Sequence, residues 1–483
     1  QNTIIGGLAG DALTTGGENV AIGAYALSAE DGHGKNVAVG TQALISQNAG
    51  TDAHNTAVGY LAGKAVTTGT YNVYMGGNAG DESTTGSHNV GIGADALGGI
   101  STASDNTAVG SSALYSITSG TVNVAIGRNA GDSLTTGSFN VAIGKSALAT
   151  EDAHGRNVAI GYAALEVQDA GADAYNTAIG FNAGNAVSTG TENSLIGGSA
   201  GVALTTGSYN VALGNNALSV EDTGSRNVAI GTNALQDLNY AGNAYNVAVG
   251  FSAGADISTG VNNVLVGGLA GDSLTTGGYN VAIGHEALST EDGNGRNTAI
   301  GTWALALQNA GAEAYNTAVG YRAGATVSTG INNVLVGGGA GEALTTGAYN
   351  VAVGKGALTA EDTGGTNTAI GYTALTTLDA GADAYNVAVG FQAGYAMSTG
   401  VRNVLIGGLA GDAITSGQHN VALGYTALSA EDANGKNIAI GSYALANQNA
   451  GADAYNIAIG YDTGIAVTTG VGNTLVGGLA GDA

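Results

Sequence analysis

Pairs of adjacent carboxylates recur along this chain of 483 residues and are its best candidates for chemistry. The six pairs are Glu30-Asp31, Glu151-Asp152, Glu221-Asp222, Glu291-Asp292, Glu361-Asp362 and Glu431-Asp432. Hard divalent cations bind several carboxylate and carbonyl oxygens, so these pairs, for example Glu151, Asp152, Glu291 and Asp292, are weak candidates for cation sites.

The simpler interpretation of these pairs, which we favour, is a solvated loop that carries a local surface ion pair. In five of the six loops a basic residue follows the Asp by four positions, and the sixth loop has Thr366 there. The bases are Lys35, Arg156, Arg226, Arg296 and Lys436. We therefore predict no metal site.

Other candidate catalytic groups lack the spacing that their chemistry needs. Glycoside hydrolysis requires two acids that face each other across a cleft, whereas adjacent residues on a convex turn point apart. His285-Glu286 is not followed by a second His at metalloprotease spacing, and the glycine-rich residues 59–65 are one residue short of a phosphate-binding loop. The chain has no Cys, which excludes thiol catalysis, thiolate metal ligands and disulfides. We predict no enzymatic activity, no catalytic residue and no cofactor.

The composition also restricts the partners. The chain has 11 Lys+Arg and 36 Asp+Glu, a formal net charge of −25, whereas binding to phosphates requires clustered basic residues. No apolar run approaches the ~18 residues of a membrane span. We therefore expect no nucleic-acid partner and no membrane insertion by this segment.

An internal repeat covers the whole chain and must position all of these residues. An Asn begins each of 28 units, and spacings of 17, 17, 19 and 17 residues sum to a 70-residue super-repeat. Super-repeats start near residues 2, 72, 123, 193, 263, 333 and 403, and a partial unit starts at 473. One unit cannot fold alone, but stacked units share ladder hydrogen bonds and apolar columns. We predict a single continuous β-solenoid array over residues 1–483.

The first five positions of each unit predict a short strand. They read Asn-Val-Ala-Ile-Gly or a close variant, so the second and fourth side chains share one face. Stacking of these strands predicts an all-β fold, a parallel β-roll or β-solenoid of about 28 coils with few or no helices. The Asn residues of successive coils should form a ladder of side-chain amides. The ladder includes Asn210, Asn227, Asn246 and Asn263.

One aliphatic side chain is exchanged between two positions of the unit. Units with Ala-Leu at the eighth and ninth positions carry it at the ninth, as at Leu27, and units with Ala-Gly there carry it at the twelfth, as at Leu274. A close-packed core of constant cross-section requires such an exchange. Ser83 lacks the twelfth-position aliphatic and Ile117 adds one.

The third position of the strand is the candidate surface for self-association. If the second and fourth side chains fill the core, the third-position Ala residues form a smooth outer stripe that is thickened in nearly every fourth coil, with Ala125 the exception. The larger residues of this stripe are Ile4, Tyr74, Leu195, Leu265, Leu335, Leu405 and Leu475. Such a long apolar stripe is typical of a partner surface. The alternative is the reverse, with the Ala column inside; we favour the first because larger side chains usually lie in the core.

Two further regularities leave alternatives open. A Tyr often precedes the Asn, and it either packs the turn or belongs to a ladder that stacks on carbohydrate. These residues are Tyr175, Tyr245, Tyr315, Tyr385 and Tyr455. Thr-Thr-Gly or Ser-Thr-Gly recurs on two neighbouring coils, and a flat face of Thr would suit ice, although the next two coils usually interrupt it.

Units such as NVALGYTALSAEDANGK, from Asn420, and NTAVGYLAGKAVTTGTY, from Asn55, resemble the repeats of YadA-like heads of trimeric autotransporter adhesins. Similar arrays occur in tail-fibre proteins of bacterial viruses. The resemblance implies a left-handed parallel β-roll that assembles as a trimer and serves attachment. The units here are longer than the adhesin-head repeat, and the sequence contains no stalk coiled coil, anchor or receptor-binding tip.

Together these observations predict a non-enzymatic structural or adhesive fibre shaft, extracellular or on a cell or virion surface, that presents or spaces an attachment function. Its expected partner is itself, as a homotrimer, and a cell-surface glycan or receptor is a further candidate partner. The first alternative is an extracellular filament subunit that polymerises end to end, because the units from Asn2 and Asn473 are of one type. The second alternative is an ice-binding protein.

Overall fold

The protein is an all-β parallel β-solenoid of about 28 turns, as the repeat predicts. The computed structural model describes residues 1–482, so Ala483, the end of the predicted array, lies outside the described residues. Two compact units make up the chain, Gln1–Ala244 and Tyr245–Ala483. Residues 1–482 contain no helix, and thus none with the length and apolar character to cross a membrane.

Every turn of the solenoid contributes one strand of three residues. In the first unit the strands are β1 Thr3–Ile5, β2 Val20–Ile22, β3 Val37–Val39, β4 Thr56–Val58, β5 Val73–Met75, β6 Val90–Ile92, β7 Thr107–Val109, β8 Val124–Ile126, β9 Val141–Ile143, β10 Val158–Ile160, β11 Thr177–Ile179, β12 Ser194–Ile196, β13 Val211–Leu213 and β14 Val228–Ile230. In the second unit they are β15 Val247–Val249, β16 Val264–Val266, β17 Val281–Ile283, β18 Thr298–Ile300, β19 Thr317–Val319, β20 Val334–Val336, β21 Val351–Val353, β22 Thr368–Ile370, β23 Val387–Val389, β24 Val404–Ile406, β25 Val421–Leu423, β26 Ile438–Ile440, β27 Ile457–Ile459 and β28 Thr474–Val476.

Within each unit, consecutive strands pair in parallel with the columns of the repeat in register. Ala142 lies opposite Ala159 in the first unit, for example, and Ala282 lies opposite Ala299 in the second. The register holds across the 17-residue and the 19-residue spacings alike, since Val158 lies opposite Thr177. The two additional residues of the longer units are therefore accommodated in the turns.

The strand faces are the reverse of the predicted orientation. In β2 to β27 the third-position side chain is buried, whereas the second and fourth are half-buried or exposed. The space inside a turn explains this: a Cβ added at Gly91, the third position of its repeat unit, would lie 3.2 Å from Tyr74 Cδ1 of the preceding turn and 3.3 Å from both the Ala96 carbonyl oxygen and Leu97 Cδ1. Only a small side chain fits there in most turns, so the rule that larger side chains lie inside fails.

The predicted self-association stripe is accordingly wrong, because most of its large residues are core residues. Tyr74, Leu195, Leu265, Leu335 and Leu405 are fully buried. Ile4 and Leu475, which lie in β1 and β28, belong to the same column but are only partly covered.

These large third-position residues fill the space left where two successive turns both have Gly at the ninth position. Leu195 belongs to a turn with Gly201 at the ninth position, and the preceding turn has Gly184 there. An added Cβ would lie 2.7 Å from Leu195 Cδ1 at Gly184 and 2.9 Å from Leu195 Cδ2 at Gly201. The exchange of aliphatic volume predicted for the ninth and twelfth positions is confirmed, and the third position takes part in it.

The two irregular turns obey the same rule. Ala125 needs no larger side chain, because the preceding turn carries the buried Leu114, whose Cδ2 would lie 3.0 Å from a Cβ at Gly131. Ser83 lacks the aliphatic, and the buried Tyr74 takes its place and donates a hydrogen bond of 2.9 Å to the Ser83 hydroxyl. Burial also raises the pKa of Tyr74 to about 12.

Candidate functional site

The predicted ladder of Asn side chains is confirmed and forms a buried column. Within each unit, the Oδ1 of one Asn accepts a hydrogen bond from the backbone N–H of the next Asn, at 3.0 Å from Asn227 to Asn210 in the first unit and 3.0 Å from Asn263 to Asn246 in the second. The Nδ2 group of Asn210 donates to the carbonyl of Gly224 at 2.9 Å. These bonds satisfy backbone groups that the turns would otherwise leave buried without partners.

A second buried column is made of carboxyl groups, and here the predicted solvated loops are wrong. The Glu of each Glu-Asp pair is fully buried. These residues are Glu30, Glu151, Glu221, Glu291, Glu361 and Glu431. In each, Oε1 accepts a hydrogen bond from the backbone N–H three residues later, at 3.1 Å from His154 to Glu151 and 2.6 Å from Gly224 to Glu221. The buried Glu side chain thus stabilises its turn through this hydrogen bond.

Burial changes the acidity of this column, since removal from water disfavours the charged form. It raises the pKa of Glu151 and Glu291 to about 7, and it raises the pKa of the other four Glu residues as well. The sequence contains one signal of this burial that we did not use. In all six loops the first acid is Glu and the second is Asp, although a solvated loop would accept either order.

The basic residues of these loops pair with a different acid from the predicted one. Lys35 lies 3.0 Å from Asp52, Arg156 Nε lies 3.2 Å from Asp173, and Arg296 Nε lies 2.8 Å from Glu313. Each of these acids belongs to the following turn. The two arginines also contact aromatic rings: the Arg156 guanidinium lies 5.4 Å from the centroid of Tyr175, and that of Arg296 lies 5.5 Å from Tyr279 and 5.6 Å from Tyr315.

The Tyr residues that precede Asn are exposed, rather than packed into the turn. Tyr175, Tyr315 and Tyr455 each lie beside a basic residue of the preceding Glu-Asp turn. A second set of aromatic residues follows the strands. In that second set Tyr162 stacks on Phe181 with centroids 5.2 Å apart, and Tyr372 stacks on Phe391 at 5.5 Å. Sequence reasoning missed this second set. Whether either set binds carbohydrate stays a prediction.

The paired Thr residues use their hydroxyl groups within the protein. Thr67 Oγ1 donates to the carbonyl of Thr84 at 3.2 Å, and Thr275 Oγ1 donates to that of Asp292 at 2.7 Å. Hydroxyls that bond to the next turn are less available to order water. This column therefore does not favour the ice-binding alternative.

Acids and imidazoles come together at two of the Glu-Asp turns. One ligand atom from each of Glu151, Asp152, His154 and Asp169 lies within 4.8 Å of the others. Glu30, Asp31 and His33 form a smaller group of the same kind. Of the four weak cation-site candidates, Glu151 and Asp152 thus lie in such a group. Glu361, Asp362 and Asp379 form a third group, without a His. Glu291 and Asp292 belong to no such group among the described residues, because Asn294 and Asn309 stand where the second histidine-containing turn has His154 and Asp169.

The outer face of the strands is a regular surface feature of each unit. It carries two columns of side chains, from the second and fourth positions of every repeat unit, and all are Val, Thr, Ile, Leu, Met or Ser. The exposed fraction is 39% at Ile126, 38% at Ile196 and 42% at Leu423. No charged residue occupies either column in any of the 28 strands.

Comparison of the chain with known proteins finds no matching protein-family model and no matching curated protein. Inferences about its function therefore rest on the solenoid and on the side chains that it displays.

Proposed function

We propose that the protein is a non-enzymatic structural fibre component whose copies associate side by side through the exposed aliphatic face of the strands. The observation that carries this proposal is the pair of columns at the second and fourth positions of the repeat unit, in which every side chain is uncharged and most are aliphatic. A long, mostly apolar surface on a monomer marks an interaction site or an aggregation liability.

A second copy of the same chain is the partner that fits this face best. The side chains of this face repeat at the spacing of the strands, ~4.8 Å. A second copy carries side chains at the same spacing, so the two faces can pack against each other. A basic partner would be drawn instead to the turns, where the 36 acidic residues of the chain lie outside the strands. The interface belongs to the Val and Ile columns, and not to the third-position stripe predicted from the sequence.

The resemblance of the repeats to YadA-like heads supports three further elements of the proposal. These are a closed assembly of three copies, a location outside the cell or on a virion, and a role in presenting or spacing an attachment function. The absence of Cys agrees with a stability that comes from ladders of hydrogen bonds and not from disulfides.

The association is tested by a charged variant of the aliphatic face. Ile126→Lys, Ile160→Lys and Ile196→Lys together place a charge on the alternate strands β8, β10 and β12. Sedimentation at several protein concentrations should show a closed trimer for the wild type and a smaller species for the variant, with unchanged circular dichroism.

The matched control is Val122→Lys, Val167→Lys and Val220→Lys, which adds the same charge at exposed aliphatic residues of the turns. It should assemble as the wild type does. A wild type that stays monomeric at every concentration contradicts the proposal. Growth with concentration and without a closed state supports the end-to-end filament instead.

A further inference from the structure

Two turns of the first unit combine a buried Glu with a His three residues later. We call them the histidine turns, residues 30–34 and 151–155. They share the order Glu-Asp-X-His-Gly. The other four Glu-Asp turns have no His at this position.

The four-residue group at the second histidine turn has the composition of a metal site. The nearest distance from His154 Nδ1 to Glu151 Oε1 is 3.7 Å, and ligand atoms of Asp152 and Asp169 complete a group within 4.8 Å. Asp169 belongs to the next turn, so the group joins two successive turns. A ring nitrogen with carboxylate oxygens is a ligand set that Zn²⁺ and related divalent cations accept.

Two buried atoms of this group make no hydrogen bond. Glu151 is fully buried, yet its Oε2 accepts no hydrogen bond, and the buried Nδ1 of His154 makes none either. The first histidine turn repeats this pattern at Glu30 Oε2 and His33 Nδ1. An unpaired buried carboxylate oxygen is costly, so it requires a ligand or an explanation.

The remaining Glu-Asp turns provide an internal comparison, because their Glu Oε2 atoms all accept a hydrogen bond. Glu221 Oε2 accepts from the backbone N–H of Tyr240 at 3.2 Å, and Glu361 Oε2 accepts from that of Ala380 at 3.4 Å. Asn297 Nδ2 donates to Glu291 Oε2 at 3.5 Å, and Asn437 Nδ2 donates to Glu431 Oε2 at 3.3 Å.

In the histidine turns the equivalent amides do not make this bond. Asn36 Nδ2 and Asn157 Nδ2 are both without a partner. The unpaired Glu oxygen thus occurs only where a His is present, among the six turns. This correlation distinguishes the two histidine turns from the other four Glu-Asp turns.

We propose that Glu151, Asp152, His154 and Asp169 bind a divalent transition-metal cation of the Zn²⁺ class, and thereby clamp two successive turns together. His154 supplies Nδ1 and the three acids supply carboxylate oxygens. The group at Glu30, Asp31 and His33 is a second and weaker site, because Asn48 stands where Asp169 stands in the stronger one. This inference is independent of the proposed assembly.

Calorimetric titration of the full, chelator-treated chain with ZnCl₂ tests the proposal. Two binding events are expected, the tighter from the four-residue group. His154→Asn should weaken that event by at least about tenfold, as loss of a ligand exceeds the effect of losing its outer partners. The Nδ1 resonance of His154 should shift in the wild type on addition of Zn²⁺.

The repeat itself supplies controls that fold. Asn occupies the position of His154 at Asn294 and that of Asp169 at Asn309, so His154→Asn and Asp169→Asn both install residues that this turn already accepts. The double variant Asn294→His and Asn309→Asp should gain a Zn²⁺ site. Absence of Zn²⁺ binding by the wild type, wild-type affinity in both loss variants, or a preference for Ca²⁺ over Zn²⁺ would overturn the assignment.

Discussion

At the level of single residues, the main feature is a buried carboxyl group in each of the six Glu-Asp turns. Glu291 shows what this costs: its burial removes the carboxylate from water, and the N–H of Asn294 offsets only part of that loss. The turn is therefore held by a side chain whose charge state matters for stability.

The pH dependence of unfolding should reveal the acidity of Glu291. Its pKa is raised from 4.5 to about 7 by burial, so the folded state binds more protons between these values. The contribution of this group to the free energy of unfolding is then full below pH 4.5 and is lost as the pH rises through about 7. Glu291→Gln, which mimics the protonated form, should equal the wild type in acid and exceed it above pH 7 by on the order of 3 kcal/mol.

Urea unfolding between acid and pH 8 measures this difference. Asp256→Asn, which removes an exposed carboxylate in the same unit, serves as the control and should leave the pH profile almost unchanged. If Glu291→Gln has the same profile as the wild type, Glu291 is not buried as the structure describes.

At the scale of elements, the end of each strand depends on a glycine. Gly76, the fifth residue of its unit, has a φ of +140°, and a Cβ there would lie 2.4 Å from the Gly93 carbonyl oxygen of the next turn. Gly77, its neighbour, has nothing within 4 Å of an added Cβ. Only the first of these adjacent glycines is required by the stacking of turns.

The two glycines make a matched pair of substitutions. Gly76→Ala should lower the free energy of unfolding by at least about 2 kcal/mol, because both the backbone conformation and the adjacent carbonyl exclude a methyl group. Gly77→Ala should change it by no more than about 0.5 kcal/mol. Equal effects of the two substitutions would show that the turns are not stacked as described.

Neighbouring turns compensate for each other's side-chain volume in the core. Ala125 is small where the preceding turn carries Leu114, and Leu195 is large where the preceding turn carries Gly184. The size of the third-position side chain therefore depends on the ninth-position residue of the preceding turn. The core is packed by pairs of successive turns.

This coupling predicts a non-additive pair of substitutions. Ala125→Leu should overpack the core and cost about 1–3 kcal/mol, and Leu114→Gly should leave a cavity and also destabilise. The double variant reproduces the arrangement around Leu195, so it should lose at least about 1 kcal/mol less than the sum of the single variants. Additive effects in denaturant unfolding would contradict the shared core.

At the scale of the whole molecule, charge and apolar surface are segregated. A net charge of −25 lies on the turns, whereas the strands expose uncharged aliphatic columns. In the proposed assembly, charge repulsion between copies opposes association and the aliphatic face favours it. The balance between these terms depends on salt.

Association of copies should therefore tighten as salt is added. Between about 0.01 M and about 0.15 M the Debye length falls from about 30 Å to about 8 Å, which screens the repulsion and leaves the apolar contact intact. Sedimentation equilibrium at the two salt concentrations measures the change. Weaker association at the higher salt would point to an interface of ion pairs instead.

The fold class, the location of each strand and the column of Asn side chains could be predicted from the sequence, although each strand spans only positions two to four of its unit. These follow from local chemistry repeated at a fixed spacing, since in-register stacking of identical units leaves few other arrangements. The exchange of an aliphatic side chain between the ninth position, as at Leu27, and the twelfth position, as at Leu274, could also be predicted, because it is visible when the units are aligned with each other.

The tertiary structure was needed to show which strand face lies inside and that the first acid of each Glu-Asp pair is buried. The period of two assigns Val20 and Ile22 to one face and Ala21 to the other, but it does not state how wide the turn is. The interior is so narrow that Ala21 faces inward, and the turn around Glu151 folds its carboxyl group under the backbone. Both outcomes depend on distances across the turn, and no pattern along the chain encodes those distances directly.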